Sequence, residues 1–300
     1  MTTSKSEPSA KPEFPARVTF LDGQNELPML EVTTAWSSAE IYLDGAHVTR
    51  FTRKNEPPLL FMSQCSRFEK GQPIRGGIPV ILPWFGQREG LPTHGFARLK
   101  TWELKEFVPA ADGSVSIRFR LPDSPEASAF PPFTADYVVT VNQSLTLELA
   151  VTNNSKDEEF VFEDCLHTYF EVGDATAISI TGLKGHNYLD KVANFAQKTE
   201  KEDAIRISSE VDRVYLDATG VVEIDDPRLR RKIRITKKGS QSTVVWNPWI
   251  AKAHQMPDFG NEEYTRMVCV ESGNVASNNI KLALGQTSKL TVEYESSTLG

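Results

Sequence analysis

Cysteine is scarce in this chain: three residues, Cys65, Cys165 and Cys269, in 300. They are odd in number and far apart, with no CxxC spacing, which argues against a disulfide framework and against a zinc knuckle. Long apolar runs are missing too. No segment reaches the ~18 apolar residues of a membrane-spanning helix. The N-terminal stretch MTTSKSEPSAKPEFPAR carries Glu7, Glu13 and several prolines but no apolar core, so it does not read as a secretory signal. The Asn-x-Ser matches at Asn142 and Asn153 are then accidental. Positive charge is not in excess: 33 Lys and Arg against 40 Asp and Glu give a net charge of −7. Such a balance argues against a general binder of nucleic acid or anionic membrane, because phosphate backbones are held by basic surfaces. A small anionic ligand needs only a few local cations and stays open. The expectation is a reduced, cytoplasmic protein.

What the chain does have is alternation. Apolar residues make up 39% and charged residues 24%, the composition of a globular protein with a large core. SVSIRFRL (114–121) puts Val115, Ile117, Phe119 and Leu121 on one face. SLTLELAVT (144–152) does the same with Leu145, Leu147, Leu149 and Val151. A period of two marks antiparallel strands with one face on a core and one in water. Roughly fifteen to twenty such strands, separated by turn clusters such as Asp112-Gly113 and Lys238-Gly239, predict an all-β protein with little helix. Residues 257–264 are the one candidate for a short helix, entered at Pro257 and Asp258. Residues 1–14 read as a disordered, proline-spaced tail. Residues 15–300 contain no linker-like break and read as a single β-sandwich domain. The basic run Arg228, Arg230, Arg231, Lys232 and Arg234 alternates with Ile233 and Ile235, so it reads as a solvated strand face and not a binding patch.

Three segments hold residue types that carry chemistry. RGGIPVILPWFGQREGLPTHGFARL (75–99) offers glycines that let backbone approach a ligand, and Arg75 and Arg98, whose planar forks suit a phosphate. It has no GK[ST] and is no nucleotide loop; a structural Gly/Pro corner with surface arginines fits it equally. FVFEDCLHTYFEV (160–172) places Cys165, His167 and Tyr169 on one strand face. Residues i and i+2 on a strand stand roughly 6.5–7 Å apart, too far for a thiol–imidazole nucleophile built from Cys165 and His167. His167 itself fits a satisfied core residue as well as a catalyst. RMVCVESGNV (266–275) places Glu271 at the close of an apolar strand. There it is either a partly desolvated general base or a carboxylate facing water. A metal triad of His94, His167 and Glu271 has the donors for iron or zinc but none of the usual short spacings.

Together the blocks RGGIPVILPWFG, LPTHGFAR, CLHTYF, EVDRVYLD, VVWNPW and MVCVESGNV resemble the hexose-6-phosphate mutarotases, the glucose-6-phosphate 1-epimerases of the aldose 1-epimerase/galactose mutarotase-like family. The resemblance runs in order from about residue 20 to residue 295 and implies the galactose mutarotase-like β-supersandwich. It also implies roles. His167 falls on the general acid that serves the ring oxygen, and Glu271 on the base that takes the anomeric hydroxyl proton. Arg75 and Arg98 match substrate-binding arginines suited to the 6-phosphate. His94 matches a second active-site histidine and Asp212 a hydroxyl-binding aspartate. Thr93 stands at a substrate-binding position where parts of the family have glutamine; its shorter side chain bears on sugar preference, not on the reaction.

The implied activity is isomerisation: exchange of the α and β anomers of a hexose 6-phosphate, glucose 6-phosphate first. Opening and reclosing a hemiacetal needs one proton removed at O1 and one delivered at O5, so no metal, nucleotide or redox cofactor is expected. The expected partner is the small-molecule sugar phosphate alone, with no nucleic acid and no membrane, and the protein is expected to be a monomer. The alternatives are a non-catalytic phosphosugar-binding or sensor protein on the same fold, and a mutarotase for unphosphorylated aldoses.

Overall fold

Alternation in sequence becomes alternation in burial. Val115, Ile117 and Phe119 in the strand Val115–Arg120, and Leu145, Leu147, Leu149 and Val151 in Leu145–Asn153, are no more than 1% exposed. The residues between them are half-buried and mostly polar. Burying each such side chain contributes roughly 1.5–3 kcal/mol, and the period of two sends all of them to one side of the sheet. A computed structural model describes residues 16–299. The tail expected at 1–14 lies outside the described residues.

The strands form antiparallel sheets. One, of nine strands, runs from Ala204–Ile205 through Ser179–Thr181, Val222–Asp226, Arg231–Lys238, Thr287–Thr298, Leu145–Asn153, Phe133–Val141 and Val115–Arg120 to Glu103–Pro109. A second, of eight, runs from Ala196–Thr199 through Asn187–Asp190, Val211–Tyr215, Ser242–Asn247, Met267–Asn274 and Asp164–Leu166 to Val80–Ile81; Tyr169–Glu171 also pairs with Met267–Asn274. A four-stranded meander covers Arg17–Asp22, Pro28–Thr33, Ser37–Tyr42 and His47–Arg53, and Phe160–Phe162 pairs with Ile280–Leu282.

The principal core lies between the two large sheets. It joins Ile117, Leu147, Ile233 and Val292 of the nine-stranded sheet to Leu166, Phe170, Val245, Val268 and Val270 of the eight-stranded one. The strand Met267–Asn274 therefore sends its even-numbered valines inward, and Met267, Cys269 and Glu271 to the other face. That second face carries the site.

Two expectations need correction. Residues 257–264 are not a helix. A five-residue α-helix falls earlier, at Trp249–Ala253, and only a 3₁₀ turn, Glu263–Arg266, follows. Side-chain bonds take the place of a helical ladder: Asp258 accepts from Arg75, and Glu263 accepts from the backbone N–H groups of Gly260 and Gln64. The basic run is solvated only in part. Lys232 and Arg234 pair with Glu223, whereas Arg231 is on the core side with Ile233 and donates to the carbonyls of Pro57 and Glu171.

Leu147→Ala removes a fully buried side chain from the centre of the nine-stranded sheet. It should cost about 2–5 kcal/mol in urea unfolding; an unchanged midpoint and slope would contradict the placement of the core.

Candidate active site

The polar centre of the second face is set by strand register. Leu166 pairs with Ser272 and Tyr169 with Cys269, so the register is the same on both sides of the intervening pair. His167 therefore stands opposite Glu271, and their Nε2 and Oε1 atoms are 3.3 Å apart. Glu271 is not at a strand end facing water. Its strand continues to Asn274 and the side chain is 1% exposed.

Apolar groups flank the pair on two sides. Phe61, Tyr169, Trp246, Phe259, Met267 and Cys269 form one cluster, and Ile81, Cys165, Val214, Val244 and Val275 the other. The His167 ring stacks on Tyr169 (4.8 Å between centroids, 10° between planes) and meets Trp246 edge-on. The Cys165 thiol donates to Glu271 Oε2 at 3.5 Å. Burial pushes this thiol well above its ordinary range, so Cys165 is a weak donor and not a nucleophile.

The same burial sets the protonation of the pair. It raises the Glu271 carboxyl well above the usual carboxylate range, and the negative charge of Asp212 adds to the rise. It lowers His167 well below ordinary imidazole, reinforced by His94 and then by Arg98 and Arg75. Both directions favour a neutral pair with one proton between Oε1 and Nε2.

The pair opens onto a cleft of about 1080 Å³ whose walls include Arg75, Thr93, His94, Arg98, Lys191, Asp212 and Lys252. The Gly/Pro segment builds one wall. Val80–Ile81 pairs with Asp164–Leu166, which ties the segment to the strand preceding His167. Gly76 and Gly95 both have positive φ, and a β-carbon on either would strike the backbone carbonyl of Phe61 or Leu82. These close approaches are why glycine stands beside Arg75 and beside His94. His94 has φ +66° and exchanges two bonds with Gly86: its N–H donates to the Gly86 carbonyl (2.8 Å), and its Nδ1 accepts from the Gly86 N–H (3.1 Å). An Nδ1 that accepts leaves the proton on Nε2, so His94 is a neutral donor. Its ring meets that of His167 edge-on at 5.4 Å.

The cations of the cleft are unequally compensated. Arg75 is neutralised: Nε and Nη2 donate to Asp258 Oδ2 at 3.2 and 3.1 Å, and Nη1 donates to the Tyr169 hydroxyl at 3.0 Å. Lys191 pairs with Asp212 at 3.0 Å, and Lys252 lies 3.8 Å from the same carboxylate. Arg98 differs. Its Nη2 donates to the Thr93 carbonyl at 2.8 Å, its buried Nε has no hydrogen-bond partner, and among the described residues no carboxylate pairs with it. Burial, then the like charge of Arg75, pulls its pKa below the ordinary guanidinium value. A half-buried guanidinium with spare donors on the wall of a cleft suits an anion. Thr93 contributes this carbonyl, and its side chain is exposed at the rim.

All seven residues singled out from sequence line this cleft. Those missed are Tyr169, Asp258, Lys191, Lys252 and Trp246. The sequence places Tyr169 on the strand face of His167 but assigns it no role; Trp246, inside VVWNPW and paired with Cys269, would have been found by the same face-by-face reading. Lys191 sits in a segment with no distinguishing pattern, and Asp258 reads only as the entry to a helix. Among the described residues, the donors that approach a metal-binding arrangement are His167, Cys269 and Glu271, all within 4.8 Å of one another. His94 is near, but its Nδ1 is occupied by Gly86.

Comparison with known proteins identifies the family and the fold. The family profile described as aldose 1-epimerase matches residues 28–295. A protein of Cenchrus ciliaris named "Putative glucose-6-phosphate 1-epimerase" is 36% identical over 246 residues, 79% of this chain and 75% of its own. One of the same name from Escherichia coli K12 is 36% identical over 251 residues, 83% of each. The crystal structure of a "putative mutarotase (YeaD)" from Salmonella typhimurium superposes with a TM-score of 0.86 at 28% identity, covering 97% of both chains. The all-β, antiparallel architecture is thus that of the galactose mutarotase-like β-supersandwich.

The unpaired guanidinium generates a prediction of its own. Inorganic phosphate at a hundred times its Kd should stabilise the protein by about 2.7 kcal/mol, seen as a higher thermal midpoint. Arg98→Ala should abolish the effect; equal stabilisation of both proteins would place the anion elsewhere.

Proposed function

The chain belongs to the aldose 1-epimerase family, and we propose that it interconverts the α and β anomers of hexose 6-phosphates, glucose 6-phosphate foremost. One observation carries this reading: a buried acid–base pair faces a cleft whose wall holds an arginine without a carboxylate partner. O1 and O5 of a pyranose are bonded to the same carbon. The group that takes the O1 proton and the group that protonates O5 must therefore lie side by side, as His167 and Glu271 do.

Moving one proton from Glu271 Oε1 to His167 Nε2 turns the neutral pair into an imidazolium and a carboxylate. Glu271 then takes the anomeric proton while His167 delivers one to the ring oxygen, and the C1–O5 bond opens. Rotation about C1–C2 presents the other face of the aldehyde. Reclosure runs the two transfers backwards, so the pair ends as it began. Arg98, with Arg75 beside it, receives the 6-phosphate. His94 Nε2–H, Asp212 and the Thr93 position meet the sugar hydroxyls. An uncompensated Arg98 favours a phosphosugar over a neutral aldose, and the acid–base pair has no use in a protein that only binds.

We propose further that residues 15–300 act as one domain, supported by a core that joins Leu30 near one end to Tyr294 near the other. The protein acts as a monomer. Its three free thiols, Cys65 exposed among them, suit the cytoplasm. No helix among the described residues is long and apolar enough to cross a membrane.

The test is anomerisation of freshly dissolved α-glucose 6-phosphate beside glucose. Glu271→Gln and His167→Asn should each lower kcat by roughly 10²–10⁴ with little change in substrate binding. Wild-type activity should follow a bell in pH. Acid adds a second proton to the pair and removes the base; alkali removes the shared proton and with it the acid. Arg98→Ala should raise KM for glucose 6-phosphate and leave free glucose unchanged. Near-full activity in either pair variant, or equal losses for both sugars in Arg98→Ala, would overturn the assignment.

A further inference from the structure

Cys269 has no part in the reaction derived above, yet its side chain shares the cleft-side face of the strand with Glu271. Its Sγ, a His167 ring nitrogen and a Glu271 oxygen lie within 4.8 Å of one another, and all three residues are buried. Two ligands about 2.1 Å from a tetrahedral ion stand roughly 3.4 Å apart. Nε2 and Oε1, at 3.3 Å, already do so. With the longer zinc–sulfur bond, the sulfur needs to close by at most ~1.2–1.4 Å, within the reach of a side-chain adjustment. Imidazole nitrogen, thiolate sulfur and carboxylate oxygen together form a borderline-soft donor set, which selects zinc over magnesium or calcium.

We propose that His167, Cys269 and Glu271 form a binding site for a zinc-class divalent cation, and that the bound ion blocks the catalytic pair. The site goes beyond the proposed reaction; only its inhibitory consequence rests on that reading. On binding, the Cys269 thiol loses its proton to solvent as the sulfur–metal bond forms. The proton shared by His167 and Glu271 leaves in the same way, and the fourth position stays open to solvent from the cleft. Two features make the binding reversible, unlike that of a resident structural zinc. His167 Nδ1 has no hydrogen-bond partner among the described residues, whereas histidine ligands of resident metals donate that proton to an outer acceptor. Arg75, Arg98 and Lys191 also face the site with positive charge, only partly offset by Asp212 and Asp258.

The test uses the full-length protein after chelator treatment, with two readouts. Zn²⁺ is titrated over the micromolar range in the anomerisation assay, and Co²⁺ is titrated by absorption spectroscopy without substrate. Chelated protein should be fully active. Zn²⁺ should inhibit it reversibly, and Cys269→Ser should keep basal turnover while weakening the inhibition at least about tenfold. Co²⁺ should give a thiolate-to-cobalt charge-transfer band in the wild type and in Cys165→Ser, but not in Cys269→Ser. The wild-type spectrum needs neither a stable variant nor an active enzyme, so it stands even if the sugar phosphate assignment fails. Absence of the band, its loss in Cys165→Ser, or equal zinc inhibition of Cys269→Ser would overturn the site. A bound ion that leaves turnover untouched would overturn the blocking role.

Discussion

The rest of the site depends on one contact, His167 Nε2 against Glu271 Oε1, made where water is excluded. In water an imidazole and a carboxylate ionise separately. Inside this sheet face burial penalises both charged forms, raising one pKa and lowering the other until a single proton serves both groups. The groups that flank the contact follow from that requirement. Tyr169 and Trp246 keep the imidazole dry and fix its plane; Val214, Val244 and Cys165 do the same for the carboxylate. Strand register supplies the alignment, which is why two residues distant in sequence meet without any local motif.

Charge around the contact is arranged with equal economy. Asp258 and Tyr169 hold Arg75 in place, with Asp258 balancing its charge, and Asp212 balances that of Lys191. Arg98 is left with spare donors. A guanidinium in that state keeps donors free for an anion, as the proposed phosphosugar substrate requires. Glycines 76 and 95 let the segment that carries these groups approach neighbouring backbone where a side chain would collide.

Much of this was legible in the chain. The strands were, because a period of two survives in segments such as 114–121 and 144–152, where one face is apolar and the other is not. The residues that line the cleft were, through the blocks around Arg75, His94, His167, Asp212 and Glu271. Arg231 and residues 257–264 were misread for one reason: each is organised by tertiary hydrogen bonds, to Pro57 and Glu171 in the first case and to Arg75 and Gln64 in the second. Lys191 and Asp258 escaped as cleft groups because their partners, Asp212 and Arg75, come from elsewhere in the chain. Glu271 read as a strand end because Ser272 and Gly273 follow it; the pairing of Ser242 and Thr243 with those residues continues the strand.

The shared proton is the central claim, and infrared spectroscopy reads it directly. The difference spectrum between wild type and Glu271→Gln, taken without substrate at neutral pH, isolates the Glu271 carboxyl; Asp164, also raised by burial to about 7, is common to both proteins and cancels. The account predicts the carbonyl stretch of a protonated, hydrogen-bonded carboxylic acid, lost on titration to alkaline pH. Carboxylate bands alone at neutral pH would show Glu271 already ionised and would contradict it.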